Sequence, residues 1–200
     1  MPERRGYHHG NLRQALLDAA ADLIRANGPA GFTLAEAARQ AGVSPAAPYR
    51  HFAGREQLID ELAREGYAAF ADRLSAAFDA GRPAPLTAML RMVQAYLDFA
   101  REQPGHYIAM FESGLNLAAS PDLSRAADQA LAVMEGAARA LGPETGLPPR
   151  VIANHIWALS HGVVELFDRG QPGQRLPFSA AEMLESGVLI YLRGLGLISD

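Results

Sequence analysis

The side chains best suited to phosphate in this 200-residue chain are those of Tyr49-Arg50-His51-Phe52, followed by Gly54-Arg55. A phenol hydroxyl, an imidazole and a guanidinium each bond phosphate oxygens, as do the unpaired amides of a helix beginning at Arg55. Phe52 has no such use and is expected to anchor the segment inward. A second set, Trp157-Ala-Leu-Ser-His161-Gly162, places an indole and an imidazole four residues apart, hence on one helical face, which Glu165 continues. That face suits a core, with His161 satisfied by a neighbour and Gly162 permitting close helix approach. It also suits contact with a small ligand. A third set, Met89, Met92, Tyr96, Phe99, Tyr107, Met110 and Phe111, recurs at helical spacing, the pattern of a core and of an apolar pocket lining.

Other chemistries lack their residues. There is no cysteine, which removes disulfides, thiolate metal sites and cysteine nucleophiles and fits a reducing cytoplasm. Besides carboxylates, the plausible metal ligands are His8, His9, His155 and His161, and the last two, six residues apart, do not share a helical face. No His-Glu-x-x-His, Gly-x-Ser-x-Gly, P-loop or dinucleotide fingerprint occurs. The sequence points away from catalysis and from any cofactor. The formal charge of −4 is unevenly spread: residues 1–60 hold seven Arg against six acids, a net of +1, and residues 61–200 hold eleven against sixteen, a net of −5. All eighteen basic side chains are Arg, which bonds phosphate in a bidentate fashion that Lys lacks.

Behind these residues stands a helical chain. With 49% apolar and 20% charged residues, abundant alanine and few β-branched residues, the composition favours a globular helical protein. The polar stretch from Met1 to Gly10 has no apolar segment behind it, so no secretory signal is expected. The apolar run from Gly187 to Ile198 is too short to span a bilayer. Leu12, Ala15, Leu16, Ala19, Ala20, Leu23 and Ile24 predict a helix over 8–27, ended by Gly28-Pro29. Thr33-Leu-Ala-Glu36 reads as a capping box opening a second short helix to about Ala41. Gly42 is its left-handed stop, and Ser44-Pro45 starts a third helix to about Phe52. Pro48 lacks the N–H that would bond Ser44 and disfavours helical angles at Ala47, so that helix is expected to begin with an irregular or 3₁₀ turn.

A longer fourth helix begins near Arg55, with Leu58, Leu62, Phe70, Leu74 and Phe78 on one side. Beyond the linker-like Gly81-Arg-Pro-Ala-Pro85, helices are predicted over 86–103, 104–117, 121–141, 148–168 and 179–195. Pro104, Pro121 and Pro148-Pro149 stand at helix starts, Ser179-Ala-Ala-Glu182 forms a second capping box, and Asp168 to Phe178 is a loop. The expectation is an all-α chain of about nine helices, with an N-terminal three-helix helix-turn-helix unit and a larger C-terminal helical part.

Two short helices about Gly42, with small Ala38 four residues earlier and Val43 turning inward, meet the geometry of a helix-turn-helix and equally of a core-forming helical corner. Residues 11–62, above all Gly42-Val-Ser-Pro-Ala-Ala-Pro-Tyr-Arg-His-Phe52 with Arg55 and Leu58, resemble the DNA-binding domain of the tetracycline-repressor (TetR) family of bacterial transcriptional regulators. The resemblance implies a homodimer on a palindromic double-stranded DNA operator, its third helices in successive major grooves, and a small-molecule effector held by the larger domain. The organisation expected is a helix-turn-helix domain over 1–58, a connecting helix over 59–82 and a ligand-binding and dimerisation domain over 83–200. A cytoplasmic, nucleoid-associated repressor follows, with an activator or a regulator acting through protein partners as the alternative. Carried over by position, Thr33, Tyr49, His51 and Arg55 match phosphate-contacting positions, while Ser44, Pro45, Ala46, Ala47 and Arg50 belong to the recognition helix and its cap. Ala46 and Ala47 offer methyl groups rather than amides, so base reading leans on thymine methyls and on Arg50. Arg4 and Arg5 suit either a minor-groove arm or a solvated tail.

Trp157-x-x-x-His161-Gly162 resembles the signature of the subgroup whose C-terminal part is called the WHG domain. In such regulators the last two long helices build a four-helix dimer interface. Here that implies 148–168, with Val151, Ile152, Ile156, Leu159, Val163, Leu166 and Phe167, and 179–195, with Met183, Leu184, Val188, Leu192 and Leu195. The expected effector contacts are Met92, Tyr96, Phe99, Tyr107, Met110, Phe111, Trp157 and His161, and the expected effector is apolar and weakly charged.

Overall fold

The first helix, α1 (His9–Asn27), buries Leu12, Leu16, Leu17, Ala20 and Ile24 along one stripe and stops at Gly28, whose φ of +77° few other residues adopt. The structure, a computed structural model, describes residues 9–142, 146–168 and 177–198. The expected arm at Arg4 and Arg5, the residue His8 and most of the expected 168–178 loop lie outside the described residues. Helix α2 (Leu34–Gln40) opens on the expected capping box: the Glu36 amide donates to the Thr33 hydroxyl oxygen at 3.2 Å, and the Thr33 amide donates to the Glu36 carboxylate at 2.8 Å. It closes on Gly42 at φ +71°, with the Val43 amide reaching the Ala38 carbonyl and the Gly42 amide the Arg39 carbonyl, the paired bonds of a Schellman stop.

The third helix of the sequence reading is not an α-helix. Ser44 to Ala47 form turns and Pro48–Arg50 a single 3₁₀ turn. The expected irregular start therefore takes up the whole segment. Ala47 donates to Ser44 and Arg50 to Ala47, both three residues back, and Pro48 has no amide to close a bond on Ser44. The described residues accordingly hold eight α-helices, where about nine were expected.

Helix α3 (Arg55–Gly81) follows, with Leu58, Leu62, Phe70 and Leu74 fully buried. Then come α4 (Pro85–Glu102), α5 (Pro104–Phe111), a 3₁₀ turn (Leu117–Ala119), α6 (Pro121–Ala140), α7 (Pro149–Val163), a π turn (Val164–Asp168) and α8 (Ala180–Gly194). Proline stands first in α4, α5, α6 and α7, where its missing N–H breaks no intrahelical bond. Ser179 and Glu182 form the second capping box before α8. Helix α5 ends at Phe111 rather than near 117, because Gly114 turns left-handed at φ +71° and the Ser113 hydroxyl donates back to the Ala109 carbonyl at 2.6 Å. Helix α7 passes into a π turn where α-helix was expected to 168.

By packing, the chain falls into two compact units. One holds the described residues up to Gly66 together with Gln103–Ser124; the other holds Tyr67–Glu102 and the described residues from Arg125 onward. In the first unit α5 crosses α1 so closely that a Cβ on Gly105 would stand 2.3 Å from the Ala21 carbonyl oxygen. In the second, Phe70 contacts Tyr96 edge-on at 4.9 Å, Phe99 at 5.1 Å and Trp157 at 6.0 Å between ring centroids. Among the described residues no helix is long and apolar enough to cross a membrane.

Candidate nucleic-acid interface

The Schellman turn at Gly42 and two buried side chains determine what the segment after it shows to solvent. Pro48 is buried and Phe52 is 2% exposed, while Ser44, Pro45, Ala46 and Arg50 are exposed and Tyr49 is 64% exposed. Ala47, His51 and Val43 are half-buried. An exposed phenol offers both a hydroxyl and an apolar ring face to a partner surface. Phe52 is in turn covered by Arg13, whose guanidinium lies 5.7 Å from the ring centroid and pairs with Glu61 at 2.7 Å.

Two of the residues matched to phosphate positions have structural work. The Thr33 hydroxyl donates to Glu36 at 2.9 Å as part of its cap. The half-buried Arg55 donates to the Pro29 carbonyl at 3.1 Å and lies 6.0 Å from the Phe32 ring centroid, tying α3 to the connection between α1 and α2. Gln57 was not singled out by sequence: its side chain accepts from the Ala53 amide at 2.6 Å and so fixes the approach to α3. A polar side chain in the first turn of a helix is the signal that finds it.

Glu61 pairs with both Arg13 and Arg64. Burial works to raise the pKa of Glu61, but hydrogen bonds from Arg64 and Arg13 outweigh it and hold the carboxyl below the ordinary range. Glu65, one turn on, is pushed up, first by burial and further by the Glu61 charge, against a bond from Gln14. His106 on α5 is pushed down by burial, with Asp18 opposing.

The expected effector contacts fall into two groups. Met92, Tyr96, Phe99, Trp157 and His161 belong to the second unit, where the Tyr96 hydroxyl meets His161 Nδ1 at 3.3 Å and the Tyr96 and Trp157 rings lie 6.4 Å apart. Tyr107, Met110 and Phe111 belong to the first unit, where Tyr107 packs on Phe111 at 4.8 Å. Phe70, which the sequence reading placed only in a helix stripe, is the ring that joins Tyr96, Phe99 and Trp157. Gly162 does not serve close packing as expected: a Cβ there would meet nothing within 4 Å. On the helices expected to dimerise, Ile152, Ile156, Val163, Leu184, Val188 and Leu192 are buried within the chain itself. Leu166 and Ile190, each 68% exposed, and Met183, 40% exposed, keep an apolar surface in water.

The family model for bacterial regulatory proteins of the tetR family matches residues 16–62, and that for the tetracyclin repressor-like C-terminal domain matches residues 89–190. The chain belongs to the tetR family. Half of it, 100 residues, is 32% identical to the uncharacterized HTH-type transcriptional regulator YobS of Bacillus subtilis (strain 168), over 51% of that protein. The chain thus spans about half the length of the curated relatives it matches. A protein with unknown function from Rhodococcus sp. RHA1 superposes with a TM-score of 0.78 at 25% identity, over 96% of this chain and 98% of that one. AibR, solved in complex with isovaleryl coenzyme A and operator DNA, shares the fold with a TM-score of 0.69 at 18% identity, over 89% of this chain and 96% of that one.

Proposed function

We propose that the chain is a transcriptional regulator that binds a palindromic DNA operator as a homodimer and releases it when a small molecule binds its C-terminal part. The observation that carries this reading is the outward presentation of Ser44, Pro45, Ala46, Tyr49 and Arg50 from a segment locked by buried Pro48 and Phe52. Alanine methyls suit thymine methyl groups, and Arg50 suits guanine or a phosphate. Tyr49 and His51 fix the register on phosphate oxygens. The functional division is 1–58 for DNA, 59–82 as connector and 83–200 for effector and partner, with the second copy bound through α7, the π turn after it and α8, where Leu166, Met183 and Ile190 stand exposed. The reading involves no catalytic step and a cytoplasmic, nucleoid-associated protein.

In a dimer the two recognition segments must lie roughly 34–36 Å apart to enter successive major grooves. Residues 55–80 lie within the single helix α3, so a displacement at one end is carried along it. An effector that binds better to a state with a different spacing shifts the population and releases the operator.

The test is a footprint on the intergenic DNA flanking the protein's own gene, with salt titrated and the mass in solution measured. A discrete footprint of two-fold symmetry, lost in Tyr49→Ala, supports the reading. A folded dimer without specific binding at low salt overturns it, and points to a regulator acting through protein partners, the reading favoured by the missing α-helix at 44–52.

A further inference from the structure

Arg55 stands at a position matched to phosphate, yet its surroundings give it other work. Its guanidinium donates to the Pro29 carbonyl at 3.1 Å and lies 6.0 Å from the ring centroid of Phe32, a side chain only 3% exposed. Arg55 also lines a groove of about 680 Å³ together with Glu56, Asp60 and Glu112, three carboxylates beside one guanidinium. A phosphate approaching from that groove meets three like charges for one opposite charge, which disfavours it. Geometry and charge therefore both turn Arg55 toward the chain and away from a DNA backbone.

What Arg55 holds is the rear end of the recognition segment. Ser44 to Phe52 has few bonds of its own: Ala47 donates to Ser44, Arg50 to Ala47, and His51 and Phe52 to Pro48. A segment so sparsely bonded takes its orientation from its two ends. The front end is fixed where the Val43 amide meets the Ala38 carbonyl at 2.9 Å. At the rear, Phe52 is buried, Gln57 accepts from the Ala53 amide at 2.6 Å, and Arg55 ties the first turn of α3 to the connection between α1 and α2. We infer that Arg55 is a positioning residue for DNA recognition and makes no phosphate contact. It fixes the start of α3, and through it the angle at which Tyr49 and Arg50 face the duplex. This rests on the DNA-binding reading above and reassigns a residue that the resemblance gave to phosphate. A carbonyl on one side and a ring on the other use the planar fork of a guanidinium, which lysine lacks.

The test compares wild type, Arg55→Lys and Arg55→Gln on two duplexes, the footprinted intergenic segment and a scrambled sequence of the same length, with salt titrated. Arg55→Lys keeps the charge without the fork, and Arg55→Gln removes both. Both variants are expected to bind the footprinted segment about tenfold more weakly than wild type, the loss that goes with one charge-assisted hydrogen bond. The slope of log affinity against log salt stays at the wild-type value, and affinity for the scrambled duplex changes by less than about twofold. A mere loss of folded protein would lower both affinities alike. Hydrogen exchange on the DNA-free chain gives a second readout: in Arg55→Gln the amides of residues 49–53 exchange about tenfold faster, while those of α6 keep the wild-type rate. A slope smaller by about one in Arg55→Gln marks a phosphate contact and overturns the proposal. So do wild-type affinity in Arg55→Lys, equal losses on the two duplexes, or unchanged exchange at 49–53. A wild-type chain that gives no footprint removes the regulator and this role with it, whereas a wild-type footprint with any of those results removes the role of Arg55 alone.

Discussion

Replacing Gly105 by alanine is expected to destabilise the N-terminal unit. Gly105 is buried at the second position of α5, and a Cβ there would stand 2.3 Å from the Ala21 carbonyl oxygen and 2.8 Å from the Ala21 Cα. Ordinary contact begins near 3.4 Å, so α1 and α5 must part by about 1 Å. The obstructing atoms are helix backbone, which cannot rotate aside as a side-chain tip can. Overpacking costs about 1–3 kcal/mol, and obstruction by backbone puts Gly105 in the upper part of that range, about 2–3 kcal/mol, against up to about 1 kcal/mol gained when alanine replaces a helical glycine. The net loss of about 1–2 kcal/mol corresponds to a Tm lower by roughly 5–15 °C for a unit of this size, read by circular dichroism on heating. Two other glycines calibrate the argument. At Gly66 the Cβ would meet chiefly the flexible end of Met110, with the sulfur at 2.8 Å, so Gly66→Ala is expected to cost less. At Gly162 it would meet nothing within 4 Å, so Gly162→Ala is expected to stabilise by up to about 1 kcal/mol. A Gly105→Ala chain as stable as wild type, or a Gly66→Ala chain less stable than Gly105→Ala, refutes the reasoning.

Arg50→Ala is expected to weaken DNA binding and to reduce the slope of log affinity against log salt by about one if the guanidinium neutralises a phosphate; a weakened complex with an unchanged slope moves Arg50 to a base edge. Ile190→Glu places a charge on the exposed apolar surface of α8 and is expected to halve the mass measured by light scattering, whereas an intact dimer locates the interface elsewhere. For pH, burial lowers the pKa of His106 in the folded state, so the unfolded chain takes up its proton first. Stability is lost as pH falls from about 6.5 through the lowered folded value. His106→Gln should flatten that limb of a denaturation-midpoint profile, and a profile unchanged by the substitution removes His106 as its cause.

How much of this was legible in the sequence depends on how far each residue's partner lies along the chain. Thr33 with Glu36, Ser179 with Glu182, and Gly42 with the carbonyls behind it are satisfied within a few residues, and all three appear as read. Pro48 was legible in direction but not in extent. The segment between Ser44 and Phe52 is so short that one missing amide at its centre leaves a single four-residue bond, from Phe52 to Pro48, before Gly54 and the next helix. Periodicity placed Tyr96, Tyr107 and Phe111 on apolar faces without saying which face each would meet. The helix crossings decide that, and they draw Phe70 into the centre of one cluster and leave Tyr107 in another unit.

Glu165 lies furthest from what a sequence can tell. Its spacing from His161 is plain, but the burial of one of its oxygens without a hydrogen-bond partner follows from the packing around the π turn. The recognition segment without an α-helix, the π turn and the unpaired carboxylate all depart from local rules. The first of them is the place to which we assign DNA. At 44–52 the departure has a use: the buried ring of Pro48 holds the segment without an α-helical ladder, and Tyr49 and Arg50 are thereby presented outward.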